Sequence, residues 1–91
     1  MENLRLRNYM EEAVKNVLID MIQRNTYPGC TCDRCLLDIQ AYVLNMLPSK
    51  YVVTTKGEVF AKIAQMKTQF ETDIVRTIIN SIDVINSNPR H

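Results

Sequence analysis

Glycine and proline are scarce in this 91-residue chain, two of the first and three of the second. Tryptophan is absent, and the one histidine is His91. Few helix breakers in a sequence that is 46% hydrophobic and 23% charged argue for helices and against disorder. No apolar run is long enough to span a membrane. The N-terminal segment carries Glu2, Arg5 and Arg7 within an amphipathic pattern, so it is no signal peptide, and the expected compartment is the cytoplasm. Charge bias is missing too. The net charge is +1, and residues 1–29 and 58–91 each hold four residues of either sign. Without a basic stripe, binding to DNA or RNA by phosphate neutralisation is disfavoured, although a small anion needs only a few local donors. No Ser/His/Asp set, glycine-rich phosphate loop or metalloprotease motif is present, which sets an enzyme aside.

What the chain does have is helical periodicity. At 91 residues it reads as a single domain, 1–91. Leu6, Met10, Ala13, Val14, Val17, Met21 and Ile22 recur at steps of three and four, which predicts a helix from about Asn3 to Arg24. The turn-forming run NTYPG, Asn25 to Gly29, ends it. A second helix is expected from Asp33, read as an N-cap, to Met46, ahead of Pro48. Leu36, Ile39, Val43 and Leu47 make its stripe, with Leu37, Ala41 and Leu44 beside it. Tyr51 to Thr55 favours extended backbone, but a lone strand is unstable. Pro48 to Gly57 is therefore read as an ordered loop, or as a strand pairing with its own copy in a dimer. Thr55 and Glu58 form a capping box for a third helix reaching about Ser87. Its stripe runs through Val59, Ile63, Met66, Phe70, Ile74, Ile78, Ile82 and Ile85. A helix that long outruns the other two, so part of its apolar face is expected to meet another chain. The expected fold class is thus all-α, with three main helices, the last one long, and a homodimer as the assembly.

All three cysteines fall within six residues, in PGCTCDRC: Cys30, Cys32 and Cys35. A disulfide would leave an odd thiol and suits an oxidising compartment. Cys32-x-x-Cys35 resembles a redox dithiol but lacks the strand-to-helix setting of one. Buried thiols acting as small apolar residues are a third reading. The favoured one is a structural Zn²⁺ held by Cys30, Cys32 and Cys35, because soft thiolates at this spacing beside a helix start suit a tetrahedral site. The fourth ligand stays open among water, an aspartate, His91 and a group from a partner chain.

With the cysteines placed, CTCDRCLLDIQAYVLNMLPSKYVVTTKG, Cys30 to Gly57, resembles the late-competence ComFB family. The shared features are C-T-C-x-x-C, Asp38, Ala41 to Asn45, and L-P-x-x-Y-V on Leu47, Pro48, Tyr51 and Val52, continued by Thr54 and Gly57. The block spans roughly a third of the chain. The resemblance implies a small helical homodimer, zinc on the cysteines, a link to competence or motility, and, as in some members, reception of cyclic dinucleotides, cyclic di-GMP above all. Some members carry a further cysteine near the C-terminus, which this chain lacks.

The segment after Pro48 has the side chains such a ligand needs. Tyr51 could stack on a purine, Thr54 and Thr55 could donate to phosphate, and Lys50 and Lys56 bring charge. The N–H groups of Lys56 and Gly57 open the long helix, and Arg34 or Arg24 could offer a bidentate contact. Each has an ordinary reading as well: Tyr51 as a core aromatic, Thr55 as a cap, Lys50 and Lys56 as a solvated loop. Arg7 reads as a surface charge, Tyr9 and Tyr42 as packing, and Tyr27 as a turn residue. The expectation is a non-enzymatic cyclic di-GMP receptor acting on an unknown downstream protein. The rival is a zinc-stabilised helical protein-interaction module with no nucleotide.

Overall fold

In the computed structural model, the backbone of residues 4–87 and the side chains of residues 4–53 and 68–86 are described. The elements run β1 (Leu4–Asn8), α1 (Tyr9–Gln23), α2 (Asp33–Met46), β2 (Tyr51–Thr55) and α3 (Lys56–Ser87). The fold is mostly helical, but the all-α expectation needs correcting. Leu4 to Asn8 is not the first turn of α1. It is a strand, and the expected loop at Tyr51 to Thr55 is its antiparallel partner within the same chain. The sequence LRLRN alternates apolar and charged residues with a period of two, which fits a strand as well as the step from Leu6 to Met10 fits a helix. A partner strand decides between them, and β2 supplies it, with Leu6 opposite Val53 and Asn8 opposite Tyr51.

Asn8 fixes the change of structure. Its Oδ1 accepts from the N–H of Met10 at 3.1 Å, capping α1, and from the N–H of Lys50 at 2.8 Å, anchoring the start of β2. The N–H of Tyr9 adds a bond to the Lys50 carbonyl at 2.9 Å. One side chain thus ends β1, starts α1 and fixes where β2 begins.

At its other end α1 stops in a left-handed turn. Asn25 has φ 58°. The N–H of Asn25 reaches the Ile22 carbonyl and that of Thr26 the Met21 carbonyl, at 3.2 and 2.9 Å. This pair of bonds is a Schellman closure with asparagine in the position glycine usually takes. Asn25→Gly should hold or raise stability, whereas Asn25→Ala should lower it by about 1 kcal/mol. Urea unfolding midpoints test this. Equal midpoints for the two variants would mean that the left-handed turn is not what sets their stability.

The second helix occupies the expected range, but its cap is Cys32 rather than Asp33. Cys32 is extended, with φ −68° and ψ 157°, and its Sγ accepts from the N–H of Cys35 at 3.4 Å. Asp33 is the first helical residue, where its charge favours the helix dipole.

The three helices share one core. Met10, Ala13, Val14, Val17, Leu18 and Met21 of α1 meet Ile39 and Val43 of α2 and Ile74, Ile78 and Ile82 of α3. Ser81 is buried among them and donates its hydroxyl back to the Ile78 carbonyl at 2.7 Å. The predicted stripes hold with exceptions: Leu6 and Leu37 are exposed, as is Ala41. The side chains of Val59, Ile63 and Met66 lie outside the described residues.

Candidate functional site

The Schellman turn releases the chain at Thr26, and Tyr27 to Thr31 carry it to α2. The phenol of Tyr27 donates to the Cys30 carbonyl at 2.9 Å, while its ring packs against the core. Gly29 lies beneath that ring. A Cβ there would stand 2.7 Å from Tyr27 Oη, 2.9 Å from Tyr27 Cζ and 3.2 Å from Ile82 Cγ2. The loop is therefore pressed onto α3 through a contact that only glycine allows.

This bracing gathers the three thiols. The sulfurs of Cys30, Cys32 and Cys35 all lie within 4.8 Å of one another. Tetrahedral zinc at about 2.3 Å from each sulfur needs them about 3.8 Å apart, so small χ1 adjustments close the set. All three are free thiols; Cys35 is buried and the other two partly so. The electrostatics are uneven. The backbone N–H of Cys35, followed by a bond with the Cys30 thiol, lowers the Cys32 pKa. Burial, followed by hydrogen bonds to the other two thiols, pushes Cys35 up to about 12. Tyr27 is raised by burial and then by negative charge on the three sulfurs. Without a cation the Cys32 thiol is eased towards the thiolate while the buried Cys35 resists ionisation. A divalent cation removes that resistance, which is the chemistry expected of a metal loop. Among the described residues no carboxylate joins the group. Asp38 instead pairs with Arg34 at 3.7 Å. His91, a candidate fourth ligand, lies outside the described residues.

The predicted ligand-binding residues divide. Lys50, Tyr51, Thr54, Thr55, Lys56 and Gly57 follow one another through β2 into the first turn of α3. Arg34 sits at the start of α2, whose 14 residues put it about 20 Å away along the helix. Tyr51 is 63% exposed, which overturns the reading of it as a core aromatic. The Lys50 ammonium rests 5.5 Å from the centroid of the Phe70 ring. The side chains of Thr54, Thr55 and Lys56, like the surroundings of Gly57, lie outside the described residues.

Sequence reasoning gave Asn8 no role and read Tyr27 and Gly29 as turn residues alone. The NTYPG run marked a turn, but nothing local said that Ile82, more than fifty residues on, would press on it.

A three-helix core closed by a two-stranded ribbon, with three thiols at a helix start, defines a small helical protein with a candidate metal loop. The family model for the late competence development protein ComFB matches residues 7–89, and the chain belongs to that family. A solved structure, that of the late competence protein ComFB from Bacillus subtilis, is similar in fold, with a TM-score of 0.74 and 26% identity. The match covers 93% of this chain and 92% of that one. No curated protein matches the sequence. Among the described residues no helix is long and apolar enough to cross a membrane.

Proposed function

We propose that this chain is a competence-related regulatory protein that binds a cyclic dinucleotide, cyclic di-GMP above all, and performs no chemistry on it. It acts as a homodimer whose metal loop, with zinc on Cys30, Cys32 and Cys35, is structural. The observation that carries this reading is the exposure of Tyr51 at the mouth of β2, between Lys50 and the start of α3. A purine needs an uncovered aromatic face, and Tyr51 offers one.

The ribbon supports the dimer. Residues opposite one another in an antiparallel pair share a face, so Leu4, Leu6, Val53 and Tyr51 lie on one side, and all four are exposed. A second copy packed on Leu4, Leu6 and Val53 of this face brings two Tyr51 rings to either side of one two-fold axis with their faces left to the ligand, matching the symmetry of a cyclic dinucleotide. Arg34 then enters from the second copy or not at all. Ligand bound to one dimer arrangement in preference to another shifts the surface shown to a downstream protein.

Calorimetric titration with cyclic di-GMP, with cyclic di-AMP and GTP as controls, tests the reading. Binding should saturate near one ligand per dimer, and Tyr51→Ala should weaken it at least about fivefold, one stacked base being worth about 1–3 kcal/mol. No heat with any nucleotide would favour an interaction module docking through the same apolar ribbon face.

A further inference from the structure

The other face of the ribbon holds a different set of groups. Arg5 and Arg7 alternate with Leu4 and Leu6, so they point away from the apolar side. Asn8 is still extended, at φ −93° and ψ 103°, and passes the alternation on to Tyr9. Arg5, Arg7 and Tyr9 therefore follow one another along one face at about 7 Å intervals. Tyr9 is fully buried, and its hydroxyl has no hydrogen-bond partner among the described residues. Arg7 Nε is buried and equally without one. Neither Arg5 nor Arg7 forms an ion pair among the described residues. Native interiors rarely leave polar groups unmet, and two such hydrogen-bond donors on residues two apart in the chain call for an acceptor.

We propose that Arg7, with Arg5 beside it and the Tyr9 hydroxyl behind it, forms a binding site for a phosphate-type oxyanion. The guanidinium edge of Arg7 offers two parallel N–H donors, which match two oxygens of a phosphate or a carboxylate. The phenol adds a donor from a separate element, which suits the third oxygen of a tetrahedral anion. A planar carboxylate has only two oxygens to offer. Arg5, exposed at the outer end, supplies further charge and leaves the site open to solvent. Asn8 makes the arrangement rigid, because its side chain ties the strand end to both α1 and Lys50. The site lies on the ribbon face opposite Tyr51 and does not depend on the stacking surface. The anion is either a free phosphate or the phosphate of a nucleotide.

Thermal-shift titrations of the full chain with inorganic phosphate, pyrophosphate and cyclic di-GMP separate these cases. At least one probe should raise Tm saturably, and Arg7→Gln should weaken that response at least about tenfold. Tyr9→Phe should raise Tm without any probe, since it deletes the unmet hydroxyl, and should blunt the response to the probe. A response to phosphate or pyrophosphate alone assigns the site to a free anion. A response to cyclic di-GMP that is lost in Arg7→Gln assigns it to a nucleotide phosphate. If Arg7→Gln does not fold, exposed Arg5→Gln should fold and show a weaker response. The inference is overturned if no probe shifts the wild type, or if the variants respond as the wild type does. Cyclic di-GMP binding that survives Arg7→Gln but fails in Tyr51→Ala would leave the receptor reading standing and sink this one.

Discussion

Removing zinc from the protein, or replacing Cys35 with Ser, should lower Tm on the order of 20 °C while most of the helical signal persists at low temperature. Metal at a thousandfold its Kd contributes about 4 kcal/mol, and for a domain of this size 1 kcal/mol moves Tm by about 4–8 °C. Cys35 should matter most of the three, because it is the buried thiol and sits in the first turn of α2. The helices should survive because their shared core draws on α1, α2 and α3 without any cysteine. Elemental analysis should find about one zinc per chain in the wild type and little in the variant. The uptake should also release protons. Cys35 is held protonated, its pKa pushed up to about 12, so a metal must displace that proton to gain the thiolate. Zinc affinity should therefore fall as pH falls, and calorimetric heats should change with the ionisation enthalpy of the buffer. A folded, metal-free protein with an unchanged Tm would make the cluster three ordinary thiols.

The legibility of the fold followed the range of the interactions that set it. Pro48 stops α2 locally, and α3 opens at Lys56, directly after the Thr55 read as its cap, so both helices lie where the sequence puts them. The ribbon was not legible. Leu4 to Asn8 becomes a strand only because Tyr51 to Thr55, some forty-five residues away, lies beside it. The same distance hid Arg7. A lone arginine in an amphipathic segment reads as surface charge, and only the pairing with Val52 turns it away from solvent. At the cysteines the spacing revealed the cluster, but the cap was misassigned. Aspartate is the stronger capping residue by type, yet it is the Cys32 sulfur that accepts the Cys35 N–H. That bond gives Cys32 two tasks, closing the helix start and favouring a thiolate.

Gly29→Ala should destabilise the protein by about 2 kcal/mol and weaken zinc binding with it. The glycine is not needed for its backbone freedom, since no glycine among the described residues has positive φ. It is needed for space. An added methyl meets Tyr27 Oη at 2.7 Å and Cζ at 2.9 Å, closer than real Cβ atoms approach. The ring cannot simply swing aside, because its hydroxyl is bonded to the Cys30 carbonyl and its body lies on the core. Ile82 Cγ2, at 3.2 Å, limits movement of the loop the other way. Alanine must therefore break the Tyr27–Cys30 bond or shift Ile82, and the first route loosens the loop that holds the thiols. A double-mutant cycle isolates the cause. In a Tyr27→Ala background, itself less stable, the two closest collisions are gone and Gly29→Ala should cost well under 1 kcal/mol. Chemical denaturation of the four proteins, each with saturating zinc, measures the difference. An equal cost in both backgrounds would mean that glycine at 29 answers to something other than the tyrosine above it.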